Sequence, residues 1–307
     1  MPYHYSSRLG RSLKAKFEFF RFRFHFRALD AVHFPVGKSG NVIRGALGRI
    51  LRDTASPAAY ARLFEPGSQL LSGAKSGPAP SGLDDWPRPF ILRAGELDGR
   101  TVQEGGPFCF DVHIFDARPT ILTYFLEAFS QLGGQGIGPG HGRAALERAE
   151  QVDLDGRVAP VGDAAPLAVD LEAQAEPIGH VEVRFLSPTE LKSGGAIVPR
   201  PEFAILFARL RDRISTLRAL YGEGQLDIDF REMGERAASV RMTRCDVQWG
   251  KVERRSGRTG QVHPLGGFTG SAEYEGELAE FVPWLRAARW VGVGRQTVWG
   301  KGDVRVV

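Results

Sequence analysis

Glycines and cationic residues near the C-terminus recur with a spacing that suits phosphate binding. Two Gly-x-Gly motifs, separated by five residues, lie between residues 292 and 302. Glycine has no Cβ, so its backbone readily adopts positive φ and can bring N–H groups close to an anion. The stretch predicts an anion-binding loop, with a tight turn packed against its own domain as the alternative. Its candidate contact residues are Gly292, Gly294, Arg295, Gln296, Gly300, Lys301 and Gly302.

A second cationic stretch lies between residues 241 and 258. Six of its 18 positions are Lys or Arg, and its only acids are Asp246 and Glu253. This excess of positive charge predicts either a polyanion-binding surface, to which we assign Arg244, Arg255 and Arg258, or a solvated hairpin. Trp249 offers an aromatic face on which a base could stack, whereas Trp299 is expected to pack in the core. The remaining cations are Arg241, Lys251 and Arg254.

Near the N-terminus, phenylalanine alternates with cationic residues over residues 17–27, which predicts a β-strand. One face of this strand carries Phe20, Phe22, Phe24 and Phe26. The other face carries Arg21, Arg23, His25 and Arg27. The cationic row is either a solvated face or a groove for a polyanion. The alternation changes parity between Phe19 and Phe20, which indicates a bulge or a strand start.

The composition indicates an ordinary globular protein. A length of 307 residues predicts two domains, and 42% hydrophobic with 25% charged residues is typical of a soluble chain with a net charge of +4. Cys109 and Cys245 are the only cysteines and form no Cys-x-x-Cys motif, which favours a reducing cytoplasm over disulfides or a thiolate metal site. Charges interrupt the apolar runs near the N-terminus, so neither a signal peptide nor a membrane span is expected.

The predicted elements follow one order twice, namely strand, helix, two strands, helix, strand. This is the order of a ferredoxin-like unit. In the first half, Val112 and Ile114 are expected to face the core and His113 to face outward. In the second half, residues 226–252 are expected to form a strand region. We therefore predict an α+β fold with ferredoxin-like domains at 1–165 and 181–307, joined by a linker at 166–180.

Four stretches together carry a resemblance to a known family. The C-terminal loop, Gly-x-Gly-x5-Gly-x-Gly before an apolar strand, resembles the glycine-rich loop of the RAMP superfamily of CRISPR-associated proteins. The most similar member is the endoribonuclease that cuts the CRISPR repeat transcript. Residues 43–48 resemble the first helix of these proteins, residues 264–270 a turn before their last helix, and residues 133–143 a first-domain counterpart of the loop. The resemblance implies tandem ferredoxin-like domains that bind and cut repeat RNA without a cofactor.

The residues permit one kind of RNA cleavage in particular. The sequence has no HxxxH, HExxH or GxSxG motif, so metal catalysis and a serine nucleophile receive no support. The remaining route uses the 2′-OH of the RNA as nucleophile, with a base, an acid and cations that stabilise the phosphorane. It leaves a 2′,3′-cyclic phosphate and a 5′-hydroxyl. RNA is favoured over DNA because the predicted fold offers loops and open sheets rather than a helix suited to a major groove.

The resemblance leaves the catalytic base open. In many relatives a histidine beyond the first helix is the base, but the corresponding residues 56–65 contain no histidine, and only Tyr60 and Arg62 are candidates there, near an apolar Phe64. We prefer His33, which precedes the first helix, with an ordinary turn histidine as the alternative. Lys38 and Arg44 are candidate cations and Tyr60 a further catalytic candidate. His141, in the first-half glycine-rich loop, is assigned to RNA contact, with a turn residue as the alternative.

We therefore expect a metal-independent endoribonuclease that converts precursor transcript into guide RNA. A non-cleaving RAMP subunit that binds guide RNA in an effector complex is one alternative. An α+β enzyme of small-molecule metabolism, whose loops hold a phosphate group, is another. The expected partners are RNA and other CRISPR subunits, with no membrane, and the chain is expected to be a cytoplasmic monomer or homodimer.

Overall fold

The computed structural model describes residues 15–66, 86–118, 120–250, 253–255, 262–264 and 266–307, with the backbone alone at 253–255 and 262–264. The helix start expected at Pro119 and most of the loop expected between Pro66 and Pro89 lie outside these residues. The strands are β1 (Lys16–Ala28), β2 (Val32–His33), β3 (Phe90–Arg93), β4 (Thr101–Val102), β5 (Pro107–Ile114), β6 (Ala144–Val152), β7 (Val158–Pro160), β8 (Leu167–Asp170), β9 (His180–Thr189), β10 (Leu191–Ser193), β11 (Ala196–Val198), β12 (Arg241–Gly250), β13 (Glu253–Arg255), β14 (Val262–Pro264), β15 (Gly267–Glu275) and β16 (Val304–Val306). The helices are α1 (Ser39–Thr54), α2 (Pro57–Phe64), α3 (Thr120–Ser130), α4 (Leu132–Gln135), α5 (Phe203–Tyr221), α6 (Phe230–Ala238) and α7 (Val282–Val291).

Two antiparallel sheets form the framework, and they share one strand order. The first runs β3-β5-β1-β6-β7 with β8 beside β1, and the second runs β12-β15-β9-β16. If the four main strands of each half are numbered along the chain, both sheets read second, third, first, fourth. Helices connect the first strand to the second and the third to the fourth, as in a ferredoxin-like unit. The predicted α+β class with antiparallel sheets is confirmed.

Strand β1 contributes to both hydrophobic cores. Phe17 and Phe19 are buried with second-half residues in one core cluster, and this part of β1 pairs with β8. Phe22, Phe24 and Phe26 are buried in the first-half cluster. The change of face falls at residues 20 and 21, both half-buried, close to where the sequence alternation changes parity. One strand therefore ties the two cores together.

Helix α1 lies on the first sheet through an apolar stripe. Ile43, Leu47 and Ile50 are fully buried and recur at three- and four-residue spacing, so they fall on one helical face. Burial of an aliphatic side chain of this size stabilises a fold by about 1.5–3 kcal/mol. The stripe fixes which face of α1 remains available for other contacts. That face is covered in part by the C-terminal loop.

The stretch expected as a linker contains β8, which pairs with β1. Two local predictions need correction. Residues 230–238 form helix α6 rather than part of a strand region, because the Asp229 side chain accepts the backbone N–H of Arg231 and Glu232 and so caps a helix start. His113 does not face solvent: it is 3% exposed. Its ring nitrogen bonds the carbonyl of Trp290, since the second half covers this face of β5.

Candidate functional site

The C-terminal glycine-rich loop spans residues 292–302 and contains five positive-φ positions, namely Gly292 (67°), Gly294 (81°), Gln296 (63°), Gly300 (82°) and Gly302 (68°). Glycine is required at 294, where a Cβ would overlap the carbonyl oxygen of Glu190, and at 302, where it would overlap that of Val293. The loop is therefore built for close backbone packing as well as for unusual backbone angles.

Much of the loop's hydrogen-bonding capacity is used inside the protein. Six of its backbone N–H groups donate to protein carbonyls. Among them, Val293 donates to Gly302 at 3.0 Å, Arg295 to Glu190 at 3.0 Å and Gly302 to Pro188 at 3.1 Å. A phosphate contact by the loop would therefore depend more on its side chains and remaining N–H groups than on a cradle made of all its amides.

The two cationic side chains of the loop have different environments. The guanidinium of Arg295 pairs with Glu190, which is 2% exposed, yet the Arg295 side chain remains about half exposed. Lys301 is only 5% exposed. Its Nζ donates to the carbonyl oxygen of Gly37 at 2.9 Å. Burial lowers the pKa of Lys301, and Asp98 opposes that shift. Arg295 lies at the surface, and Lys301 is a link between the loop and the turn before α1.

The loop also packs directly against the N-terminal turn of α1. A Cβ on Gly40 would overlap the carbonyl oxygen of Trp299 and lie 2.8 Å from its carbonyl carbon. On the other side of the loop, a Cβ on Gly300 would lie 2.8 Å from the carbonyl oxygen of Leu92 in β3. These close approaches fix the last residues of the chain against the first helix.

Arg44 and Tyr60 belong to an aromatic cluster beside this contact. The Arg44 guanidinium lies 5.1 Å from the ring centre of Phe64 and 5.8 Å from that of Trp299. Tyr60 stacks on Phe64 at 5.2 Å. The Tyr60 hydroxyl accepts a hydrogen bond from Arg52 at 3.0 Å. Both side chains are half-buried, and their contacts join α1, α2 and the loop.

His33 lies exposed at the end of β2. One of its ring nitrogens bonds the hydroxyl of Thr101 at 2.9 Å, across the short β2-β4 pair. Lys38 is half-buried at the N-cap of α1. The next backbone N–H, that of Ser39, donates to Asp98 at 2.8 Å. The turn from His33 to Lys38 therefore presents an imidazole and an ammonium group at the start of a helix.

A first-half glycine-rich loop, residues 136–143, packs on the other side of this turn. A Cβ on Gly138 would lie 3.1 Å from the carbonyl oxygen of His33, and one on Gly142 would lie 2.9 Å from Cα of Val32. His141, at the tip, is exposed and has a φ of 49°. The structure thus brings His33, Lys38 and His141 into one region, together with Lys301.

An arginine-lined cavity opens between the halves, on the opposite side of the C-terminal loop from α1. Its volume is about 480 Å³. Gly300 and Asp303 of the C-terminal segment line it together with residues of the first sheet. The cationic lining residues are Arg21, Arg23, Arg93, Arg289 and Arg305. The acidic lining residues are Glu96, Asp111 and Asp303, so the lining carries more positive than negative charge.

The carboxylates neutralise only some of these arginines. Arg21 and Arg23 both bind Asp111, at 2.6 and 2.7 Å. Burial opposes ionisation of Asp111, but the two arginines hold its pKa below its ordinary value. Arg289 and Arg305 have no carboxylate partner within the described part of the chain. Burial lowers the pKa of Arg289, as do the nearby charges of Arg305 and Arg21. A polyanion would relieve this repulsion.

Of the two cationic regions that the sequence singled out, only Arg21 and Arg23 of β1 line the cavity among the described residues. Within β1, His25 bonds Glu150 at 2.9 Å and Arg27 pairs with Glu147. Arg244, on the edge strand β12, pairs with Asp246 and Glu273. None of the described residues of 241–250 lines the cavity. Lys251 and Arg258 lie outside the described residues, and only the backbone of Arg254 and Arg255 is described.

Sequence reasoning missed Arg93, Arg289 and Arg305. They come from β3, α7 and β16, and no local pattern joins them. A weak signal was available for Arg289 and Arg305, since both flank the glycine-rich loop in sequence. Only the packing of the halves brings them beside Arg21 and Arg23.

Each half of the chain matches a known family model. Residues 183–304, which include the C-terminal glycine-rich loop, match the family model of the CRISPR-associated endoribonuclease Cas6. The second half of the chain is therefore similar to Cas6. Residues 17–173 match a second family model, AF_1859_N, described as an N-terminal domain. The Cas6 match agrees with the resemblance to the CRISPR repeat endoribonucleases of the RAMP superfamily that the sequence motifs carry.

Solved Cas6 structures share the tandem ferredoxin-like fold of this chain. A Cas6 product complex superposes with a TM-score of 0.58 at 18% identity, covering 94% of this chain and 99% of that one. Thermus thermophilus Cas6 gives 0.53 at 16% identity, covering 95% and 99%. A partial Cas6-RT-Cas1–Cas2 complex gives 0.58 at 13%, covering 96% of this chain and 47% of that one. No curated protein matches in sequence.

The described part of the chain has no helix that is long and apolar enough to cross a membrane. Within the same residues, no three His, Cys, Asp or Glu side chains group as they would around a metal ion.

Proposed function

We propose that this chain is a metal-independent endoribonuclease that cuts CRISPR repeat RNA in precursor transcripts and so produces guide RNA. One observation carries the proposal. The turn with exposed His33 and Lys38 is held by the first-half loop on one side and by Lys301 of the C-terminal loop on the other. A proton acceptor and a cation are thereby presented in fixed positions beside the C-terminal loop, whose Gly300 also lines the arginine-rich cavity.

In this proposal His33 acts as the general base. Imidazole exchanges protons near neutral pH, and its exposed position leaves it accessible to the 2′-OH of a bound nucleotide. The 2′ oxygen then attacks the adjacent phosphorus as the bond to the 5′ oxygen breaks. The products are a 2′,3′-cyclic phosphate and a 5′-hydroxyl. Lys38 stabilises the extra charge on the phosphorane.

The other proposed residues act at some distance from the reacting phosphate. Arg44 and Tyr60 hold α1 and α2 against Trp299 through their ring contacts. Arg295 and Gln296 extend the RNA-contact surface along the C-terminal loop, whose glycines let the strand approach closely. Arg289 and Arg305 add two cations that can neutralise further phosphates of the same RNA.

A direct test uses a labelled CRISPR repeat RNA with EDTA present. The proposal expects a single cut that leaves a cyclic phosphate. A repeat with 2′-deoxyribose at the cut nucleotide should bind and stay intact. Cleavage of that deoxy substrate would contradict the attack by the 2′-OH.

The role of His33 is tested with a matched pair of variants. His33→Ala should lower the single-turnover rate by about 10²- to 10⁴-fold, which is the usual contribution of a general base. His180→Ala is the control, since His180 is similarly exposed but lies on β9 and bonds Glu273. A loss under tenfold in His33→Ala, at equal RNA binding, would remove His33 as the base.

A non-cleaving role in guide-RNA binding is the second candidate. The observation that favours it is the engagement of Lys301, Arg44 and Tyr60 in contacts within the protein. Among the proposed catalytic residues His33 is exposed, whereas Lys38, Arg44 and Tyr60 are half-buried. Tight binding of intact repeat RNA, with no cut at any pH, would support this alternative.

A further inference from the structure

The tip of the first-half glycine-rich loop lies against the strand that carries the proposed base. Gly142 packs on β2 so closely that a Cβ there would overlap the carbonyl oxygen of Ala31 and lie 2.9 Å from Cα of Val32. Gly138 approaches the carbonyl oxygen of His33 in the same way, at 3.1 Å for a Cβ. The backbones of the loop and of β2 are therefore in direct contact, with no side chain between them.

His141 stands between these two glycines in a backbone conformation that histidine rarely adopts. Its φ is 49°, and it is one of two non-glycine residues with positive φ in the described part of the chain. A left-handed conformation is unfavourable for a residue with a Cβ, because the Cβ lies too close to the following carbonyl oxygen. Glycine would avoid this cost, yet the loop has histidine at this one position and glycine at 138, 140 and 142.

The surrounding loop holds His141 in that conformation. Its N–H donates to the carbonyl of Gly138 at 3.2 Å, and Ile137 donates to Gly142 at 2.8 Å across the loop. A Cβ on Gly136 would overlap the carbonyl oxygen of His141. These contacts fix the backbone while the imidazole stays exposed. Strain held by its surroundings around an exposed titratable side chain is a feature of functional positions.

The charged groups near the loop are already satisfied. Arg143 forms a two-pronged pair with Asp30, at 2.6 and 3.0 Å. Arg49 donates to the carbonyl of Gly136 at 3.2 Å. Glu104 acts on Arg143, and the turn beside the loop carries His33 and Lys38. The tip of the loop thus presents an imidazole with no charged partner in the described residues, and its backbone contacts the strand that carries His33.

We infer that His141 is the proton donor to the leaving 5′ oxygen, opposite His33 as the base. This inference rests on the proposed function. His33 takes the proton from the 2′-OH, the 2′ oxygen bonds to phosphorus, and the bond from phosphorus to the 5′ oxygen breaks. The imidazolium of His141 gives its proton to that 5′ oxygen. Each turnover leaves His33 protonated and His141 neutral, and exchange with water restores both.

The fold suits the assignment of His33 as the base and His141 as the acid. In an in-line displacement the attacking and leaving oxygens lie on opposite sides of phosphorus, so the base and the acid must approach from two directions. The loop tip and the end of β2, whose backbones are in contact, carry one imidazole each and so offer two directions of approach. Lys38, at the start of α1, lies on the same stretch of chain as His33 and can meet the phosphoryl oxygens.

The decisive test changes the leaving group. We compare ordinary repeat RNA with a repeat whose 5′ bridging oxygen at the cut site is sulfur, because a thiolate leaves without protonation. His141→Ala should be slower than wild type by about 10²- to 10⁴-fold on ordinary RNA. On the sulfur substrate it should cleave within about tenfold of wild type, because an acid is no longer required. His33→Ala should stay slow on both substrates.

A second variant separates the loss of the proton donor from misfolding of the loop. His141→Asn removes the proton donor but keeps a residue that tolerates the left-handed conformation. It should melt like wild type and give the same rescue by sulfur. His180→Asn, on the far β9 strand, is the control and should cleave both substrates at the wild-type rate.

Each other outcome has a separate meaning. If wild type cleaves neither substrate, the proposed function itself fails. If wild type cleaves and both His141 variants remain slow on the sulfur substrate, His141 has a structural role and the inference is overturned. If the variants lose RNA affinity while the rate at saturation is unchanged, His141 is only an RNA contact, and the inference is likewise overturned.

Discussion

The Nζ of Lys301 donates a hydrogen bond to the carbonyl oxygen of Gly37 at 2.9 Å, across 264 positions of the chain. The bond ties the end of the C-terminal loop to the turn that carries Lys38. Lys301→Met keeps the aliphatic stem but removes the donor. We expect about 1–3 kcal/mol lower stability, the usual cost of leaving a buried partner unsatisfied, and slower RNA cleavage with little change in affinity. Chemical denaturation and single-turnover kinetics measure both effects.

The control for this variant is Lys192→Met, since Lys192 is a half-buried lysine on β10 away from the turn. Equal cleavage rates for Lys301→Met and wild type would show that the link does not position the proposed site.

Gly40 and Gly45 lie in the same helix and should respond in opposite directions to alanine. A Cβ on Gly40 would overlap the carbonyl oxygen of Trp299, whereas a Cβ on Gly45 meets nothing within 4 Å. Gly40→Ala should lower stability by about 1–3 kcal/mol through overpacking. Gly45→Ala should raise it by about 0.5–1 kcal/mol, because alanine favours the helix. Thermal unfolding of the two variants measures this, and equal shifts would refute the tight contact between α1 and the loop.

Because His113 is buried, we expect the folded protein to lose stability in acid. Burial and the nearby charge of Arg93 lower the pKa of His113 from 6.5 to about 3. The unfolded chain therefore binds a proton that the folded chain does not bind between these two pH values. Stability contributed by this group is complete above pH 6.5 and is lost as the pH falls towards 3, at up to about 1.4 kcal/mol per pH unit.

The measurement is the free energy of unfolding between pH 4 and 8 for wild type and His113→Gln. The variant removes the titrating group, so its profile should be flatter in that range. His180→Gln is the control, because it removes an exposed histidine. If His113→Gln has the same pH slope as wild type, His113 does not titrate as its burial implies.

Arg289 and Arg305 should contribute to RNA affinity through the salt-dependent part of binding. Each phosphate contact contributes about 0.7–0.9 to the slope of log affinity against log salt. The double variant Arg289→Gln, Arg305→Gln should lower that slope by about 1 to 2. Filter binding of repeat RNA at several salt concentrations measures the slope. Arg157→Gln is the control, since Arg157 is an exposed arginine outside the cavity; an equal slope in all three proteins would exclude the cavity from the RNA path.

The repeated order of elements and the positions of the glycine-rich loops could be predicted from the amino-acid sequence alone. Alternation of Phe22, Phe24 and Phe26 is a local property with a period of two, so it predicts strand β1 without knowledge of the rest of the fold. The stripe of Ile43, Leu47 and Ile50 predicts α1 in the same way. The spacing of glycines from 292 to 302 carried the family resemblance, because positive φ is a requirement of single positions.

Which of these residues contact one another depends on the tertiary structure and could not be predicted from local patterns. His113 alternates outward in sequence, yet it is buried because Trp290 of the second half covers that face. In the sequence Lys301 is a candidate phosphate-binding cation, yet its ammonium group donates a hydrogen bond to the carbonyl oxygen of Gly37. Arg93 lines one cavity with Arg289 and Arg305 although it is far from both along the chain. Contacts between the halves depend on the packing of two sheets, and no local periodicity in the sequence encodes that packing.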